Sequence, residues 1–82
     1  MTPELAEDMA RNLLADILPR RWAHTKGVAA TARQLTSILS GNAGVLVAAA
    51  WLHDIGYSPA LAVTGFHPLD GARFLRDTQC AP

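Results

Sequence analysis

Residues 43–56 of the chain read AGVLVAAAWLHDIG, and the predicted fold depends chiefly on this segment. Its first ten residues are apolar, Gly44 included, so a helix formed by them has no polar face and belongs in the centre of a helical domain. The apolar run is about half of the roughly 20 residues that a membrane-spanning helix needs. We therefore predict a buried core helix over residues 43–53, between the turn cluster Ser40-Gly41-Asn42 and the helix breaker Gly56.

Two helices are predicted before this core helix. Thr2-Pro3-Glu4 is typical of a helix start, because the threonine hydroxyl can accept a free backbone N–H and proline suits the first turn. Apolar residues then recur every four positions until Pro19, and they predict one broad buried face: Leu5, Met9, Leu13 and Ile17, with Ala6, Ala10, Leu14 and Leu18 beside them. The second helix is predicted over about residues 20–39, and its core-facing side carries His24 with Trp22, Val28, Ala29, Ala32, Leu35 and Leu39.

A last helix is predicted to open at His67-Pro68 and to carry Leu69, Ala72, Phe74 and Leu75. No strand signal appears, so the expected class is all-α: one small domain of about four helices over residues 1–82. Because domains usually run to roughly 100–150 residues, we expect this one to be truncated.

Charge and cysteine content argue against several partners. Seven basic residues balance seven acidic ones, so the chain lacks the excess positive charge that would bind a nucleic-acid backbone or an anionic membrane. Cys80 is the single cysteine, and the first residues carry acids where an export signal would carry lysine or arginine. We expect a cytoplasmic protein that binds neither nucleic acid nor a membrane.

His53 and Asp54 are two polar residues at the end of the most apolar helix. Neighbours on a regular helix point about 100° apart, so both can face one ion only where the helix ends, and Gly56 supplies such a place. An imidazole nitrogen and a carboxylate oxygen suit zinc, iron, manganese and similar divalent metals. The alternative is a helix end at which the histidine complements the dipole and the aspartate caps a turn, but that negative end is unfavourable for aspartate.

His24 and His67 supply a third and a fourth possible ligand from other helices. Taken alone, His24 is more simply interpreted as a histidine satisfied by one hydrogen bond, because most histidines bind no metal. His67 precedes proline at a helix start, where its role can also be that of a cap. Arg20, Arg21 and Lys26 flank His24 and are candidates for contact with substrate phosphates, although paired arginines after a proline are more often simply solvated.

The segment from His24 to WLHDIG at residues 51–56 resembles the H…HD signature of the HD superfamily, and the LHDIG string is its most specific part. The resemblance covers roughly residues 20–77 and extends to the strings YSP at 57–59, GFHP at 65–68 and GA at 71–72. It implies an all-α domain in which His24, His53 and Asp54 hold a divalent metal such as Mn, Fe, Mg or Zn. That metal activates water against a phosphate ester, often of a nucleotide.

The resemblance also implies individual roles. His67 matches a histidine that binds a second metal in binuclear branches, in which Asp54 would be the bridging ligand and the catalytic residue. Arg21 and Lys26 are then expected to bind substrate. The family pattern ends with a further aspartate on a later helix, and Asp70 and Asp77 lie too early to match it.

Two functions follow from this comparison. One is a metal-dependent phosphohydrolase of HD type that acts on a small-molecule phosphate or nucleotide. The other is a non-catalytic or truncated HD module that binds a ligand or a partner protein, with self-association or a partner chain completing the metal shell.

Overall fold

The computed structural model describes residues 1–36 and 43–79, and the regular structure within these ranges is helical. It contains four α-helices: α1 Pro3–Leu14, α2 Pro19–Leu35, α3 Ala43–Leu52 and α4 His67–Gln79. Two short 3₁₀ turns, Ile55–Tyr57 and Pro59–Leu61, connect α3 to α4. The prediction of an all-α fold with about four helices is confirmed. None of the helices in the described ranges combines the length and hydropathy that a membrane crossing requires.

α3 is the central helix, as its composition predicts, and it packs against both α1 and α2. Its buried side consists of Val47, Ala48, Ala50 and Trp51. This side meets buried alanines of the two neighbouring helices, Ala6 and Ala10 in α1 and Ala29 and Ala32 in α2. Val45, near the start of α3, is exposed.

α1 begins as predicted but ends early. The backbone N–H of Leu5 donates to Thr2 Oγ1 at 3.1 Å, which is the expected cap. Residues 15–17 form a turn in which the N–H of Leu18 donates to the Leu14 carbonyl at 2.8 Å. Ile17, in this turn, is 61% exposed, so its predicted place on the buried face was wrong. Leu5, in the first turn of the helix, is exposed as well.

α2 starts within one residue of its predicted start, and its described part ends at Leu35. Leu39 and the predicted turn at residues 40–42 lie outside the described residues. Trp22 stacks on Trp51 with ring centroids 5.5 Å apart, so this pair is part of the packing between α2 and α3. Leu35 was predicted to face the core but is exposed, because it borders an open groove between α2 and α3.

α4 opens at His67 as predicted, and it packs mainly on the first 3₁₀ turn. Phe74 and Leu75 pack against the core cluster. Leu69 and Ala72, on the same helix, are exposed.

Candidate metal centre

Asp54 lies at the centre of a group of polar side chains at the end of α3. Its side chain is buried, and its backbone torsions, φ −117° and ψ 12°, are not helical. α3 has therefore ended at Leu52, and His53 and Asp54 occupy the turn that follows. His53 Nε2 lies 3.0 Å from Asp54 Oδ2, so these two neighbours converge where the helix ends.

Two further histidines reach the same carboxylate. His24 Nε2, from the first half of α2, lies 3.8 Å from Asp54 Oδ2. His67 Nε2, from the first residue of α4, lies 3.6 Å from Asp54 Oδ1. One ligand atom from each of His24, His53 and Asp54 falls within 4.8 Å of the others, a spacing that one metal ion can span. The structure thus brings three of the predicted ligands, His24, His53 and His67, to the carboxylate of the fourth, Asp54.

The hydrogen bonding of His53 indicates that its free nitrogen is suited to a cation. Its Nδ1 lies 2.7 Å from the Ala50 carbonyl oxygen, which can only accept, so the Nδ1 atom carries the proton. In a neutral ring, Nε2 is then an acceptor facing a second acceptor, Asp54 Oδ2. Two ligands on one ion at about 2.1 Å each, roughly at a right angle, would lie about 3.0 Å apart. The donor set and its spacing therefore fit a divalent metal, with the backbone carbonyl orienting the imidazole.

The cluster is open on one side. The side chains of His24, His53 and His67 are 54%, 35% and 31% exposed, whereas that of Asp54 is 8% exposed. His24 was predicted on the core-facing side of α2, and it instead stands at the edge of that side, towards solvent. An ion held by these groups would therefore be accessible to water and to a substrate.

Gly56 allows the start of α4 to approach the cluster. A Cβ atom built on Gly56 would overlap the His67 carbonyl oxygen and would lie 2.8 Å from the Gly71 backbone nitrogen. Gly71 is almost as restricted, since its Cβ would lie 3.2 Å from the Gly56 nitrogen. The two glycines let backbone pack directly on backbone, and this contact places His67 beside Asp54.

Asp70 fixes the loop that leads into α4. It is 2% exposed and accepts hydrogen bonds from the Thr64 N–H at 3.0 Å, the Thr64 hydroxyl at 2.9 Å and the Gly65 N–H at 3.2 Å. Gly65 turns the chain there with φ 84°, a value that favours glycine. The Thr64 backbone N–H is the largest cause that lowers the pKa of Asp70 below its ordinary value. Sequence reasoning considered Asp70 only as a failed match to the family's late aspartate and missed this role.

Arg21 and Tyr57 border the cluster. Arg21 Nη1 donates to Asp54 Oδ2 at 3.3 Å, and its guanidinium carbon lies 4.0 Å from the centroid of the Tyr57 ring. Tyr57 also stacks on His67, with centroids 3.8 Å apart and an interplanar angle of 17°. A ring that contacts both groups this closely must lie between them, so Tyr57 spaces Arg21 from His67. Apart from its position in the YSP string after the HD pair, Tyr57 was not singled out by the sequence pattern.

Lys26, the other predicted substrate-binding residue, lies elsewhere. Its ammonium nitrogen is 5.7 Å from the centroid of the Trp22 ring. Two positions along a helix correspond to about 200° of rotation, so Lys26 and His24 leave α2 on nearly opposite sides. The structure therefore brings Arg21, and not Lys26, to the cluster.

The family comparison agrees with this geometry. The model of the family described as HD domain matches residues 21–80, which include all four side chains predicted as metal ligands. No curated protein and no solved structure matched the chain.

Proposed function

Because the chain belongs to the HD domain family, we propose that it hydrolyses a phosphate ester at a divalent metal held by His24, His53 and Asp54. The observation that carries the proposal is the convergence of these three side chains, from α2 and from the turn after α3, with ligand atoms within 4.8 Å of one another. The matching family is one in which divalent metals are bound. The substrate we favour is a nucleotide or a related small-molecule phosphate.

A bound divalent ion would supply a water of lowered pKa and would withdraw charge from the phosphoryl oxygens. Asp54 would hold the ion together with His53, whose Nε2 lies nearest to Oδ2, while His67 faces the other oxygen, Oδ1. That arrangement suits a carboxylate that bridges two ions, so the proposal includes a second metal on His67. Arg21 holds the carboxylate and has further donors for a phosphoryl oxygen.

The reaction is a simple displacement. The water oxygen forms a bond to phosphorus, the ester P–O bond breaks, and a water proton passes to the departing alcohol oxygen. The products are inorganic phosphate and the alcohol. The donor set of nitrogen and oxygen suits Mn²⁺, Fe²⁺ and Zn²⁺, and Mg²⁺ belongs in the same test because metal choice follows availability as well as ligand type.

The test is release of inorganic phosphate from p-nitrophenyl phosphate and from a panel of nucleotides, with each of the four metals in turn. We expect turnover with at least one metal, and a loss of roughly 100-fold or more in Asp54→Asn, which keeps the shape of the side chain but removes the ligand charge. Asp77→Asn is the matched control, because Asp77 is exposed and pairs with Arg76 on α4. Equal rates in the wild type and Asp54→Asn would exclude catalysis at this site.

A second function is favoured by one observation. Among the described residues, Asp54 is the one carboxylate in the cluster, since Asp70 is engaged by Thr64 and Gly65 and Asp77 by Arg76. A site with a single carboxylate suits a module that binds a metal and a phosphate ligand without turnover, or one that a partner chain completes. Stoichiometric metal with no phosphate release under any metal would favour this function, and a light-scattering mass would show whether the chain self-associates.

A further inference from the structure

A cleft of about 650 Å³ opens beside the cluster of candidate metal ligands, next to the connection between α1 and α2. His24 and Tyr57 border it, and both also contact members of the cluster. Its charged residues are Arg20 and Arg21, and residues 17–19 supply an apolar wall. No acidic residue from the described parts of the chain lines the cleft. The cleft therefore presents two guanidinium groups directly beside the predicted metal ligands.

Arg21 is held in position for an anion. Its guanidinium group is fixed between the Asp54 carboxylate, 3.3 Å from Nη1, and the Tyr57 ring, 4.0 Å from Cζ. A guanidinium group has five N–H donors, and the contact with Asp54 uses one of them. The others remain for a ligand in the cleft. Since the group is already ordered by the ring and the carboxylate, little rotamer freedom is lost when it binds.

Arg20 supplies a second charge that nothing in the described structure neutralises. Its side chain is exposed, and it forms no hydrogen bond or ion pair with residues 1–36 or 43–79. Arginine binds phosphate with two parallel hydrogen bonds, and such charge-assisted bonds are about twice as strong as neutral ones. Arg20 and Arg21 together therefore offer more hydrogen-bond donors than a single phosphoryl group bound at the metal ligands would use.

The positive charge lies on one side of the cluster only. His24 also borders a groove of about 760 Å³ between α2 and α3, which small and apolar side chains line together with His53. No lysine or arginine of the described residues lines that groove. A charged extension of a substrate would therefore be stabilised in the cleft and not in the groove.

We propose that the cleft binds a second phosphoryl group, so that diphosphate esters bind in preference to monophosphates. With the inner phosphoryl group at the metal ligands, attack by water then breaks the ester P–O bond and releases pyrophosphate and the alcohol. The inference rests on the proposed function, since one phosphoryl group must lie at the metal held by the candidate ligands. Because the Arg21 guanidinium is 3.3 Å from a predicted ligand oxygen, the second anion must adjoin the first directly, as it does in a phosphoanhydride. Arg20 and Arg21 are its binding residues.

The test compares the affinities of inorganic pyrophosphate and inorganic phosphate by titration calorimetry, at equal free Mn²⁺ and again without metal. Arg20→Gln is the informative variant, because Arg20 has no partner in the described structure whose loss would disturb the fold. Arg73→Gln removes the same charge from an exposed position on α4 that lines neither the cleft nor the groove. Elemental analysis of each variant reports its metal content.

In the wild type, pyrophosphate is expected to bind more tightly than phosphate. Arg20→Gln is expected to weaken pyrophosphate binding roughly tenfold, which corresponds to loss of one charge-assisted contact, and to change phosphate binding by less than about twofold. Arg73→Gln leaves both affinities nearly unchanged, and all three proteins hold the same metal. An equal effect of Arg20→Gln on both anions, or no effect, would overturn the inference.

Failure of the proposed function is distinguishable from failure of this inference. If the wild type binds no metal, the proposed function is wrong, and the metal-free titration then tests whether the cleft binds a second phosphoryl group. A preference for pyrophosphate that requires Arg20 supports this assignment. A preference that does not depend on Arg20, or no preference, rejects it. If metal is bound but Arg20→Gln leaves pyrophosphate affinity intact, the cleft assignment fails and the metal site stands.

Discussion

Asp54 is surrounded by groups that can compensate its burial. A buried carboxylate is unfavourable unless it is paired and hydrogen-bonded, and three imidazoles and one guanidinium lie within 3.8 Å of its oxygens. His53 is a poor partner while neutral, because its Nδ1 carries the proton and its unprotonated Nε2 faces Asp54 Oδ2. A divalent ion bound by both atoms would remove this conflict, and this is the physical argument for a metal at the site.

Asp70 leads to a prediction about pH. Its pKa is lowered below 3.8, first by the hydrogen bond from the Thr64 N–H, so the folded state favours the ionised form. The stabilisation is therefore fully present above the pKa of the unfolded chain, near 3.8, and is lost as pH falls through the lower folded pKa. We expect Asp70→Asn to be less stable than the wild type at pH 7 and the two stabilities to converge towards pH 2.

Urea unfolding followed by circular dichroism at several pH values measures this convergence. Asp16→Asn, which changes an exposed aspartate, serves as the control and should show no such convergence with the wild type. A stability difference between Asp70→Asn and the wild type that stays constant down to pH 2 would contradict the prediction.

At the scale of elements, the approach of α4 to the first 3₁₀ turn determines where His67 lies. Gly56→Ala would force apart two backbone segments that now touch, because the new Cβ overlaps the His67 carbonyl. We expect a loss of about 1–3 kcal/mol in the free energy of unfolding, the usual range for overpacking. Denaturant unfolding measures it, and an unchanged stability would show that α4 can move away freely.

Gly27→Ala is the matched variant with the opposite expectation. Gly27 lies inside α2, and a Cβ atom there would meet nothing within 4 Å. Alanine loses less backbone entropy than glycine on forming a helix, so we expect a gain of roughly 0.5–1 kcal/mol in stability. If both variants lost stability equally, the close packing at Gly56 would not be the cause of its effect.

The same elements show what a sequence can and cannot predict. The start of α1, the central position of α3 and the opening of α4 at His67 depend on local signals, namely a cap, an apolar run and a His-Pro pair, and the structure agrees with all three. Ile17 and Leu35 continue a helical pattern, but their burial depends on where the chain turns and which helix covers them. Neither fact is contained in the spacing of apolar residues.

The candidate site, like the helices, could be predicted from the sequence only in part. Its four candidate ligands were named from the motif, because the HD pair and its histidines stand at recognisable positions. The contacts of Tyr57 with Arg21 and His67, and those of Asp70 with Thr64 and Gly65, arise from the path of the loop between α3 and α4. That path is a property of the folded chain, and the sequence pattern did not reveal it.

At the scale of the whole molecule, the cluster joins three parts of the fold. His24 belongs to α2, His53 and Asp54 follow α3, and His67 begins α4. A metal that binds only the folded chain stabilises it by about 2.7 kcal/mol when its concentration is 100 times Kd. We therefore expect Mn²⁺ or Zn²⁺ to raise the Tm of the wild type but not that of Asp54→Asn, as measured by thermal unfolding. A Tm increase of the same size in both proteins would place the metal elsewhere.

The metal content of the purified chain shows directly whether Asp54 lies at a metal centre. Elemental analysis is made on the wild type and on a His53→Ala/Asp54→Ala double variant that remains helical by circular dichroism, after both have been offered Mn²⁺, Fe²⁺ and Zn²⁺. We predict near-stoichiometric metal in the wild type and its loss in the double variant. Absence of metal from both proteins, or equal metal in both, would contradict a metal centre at Asp54.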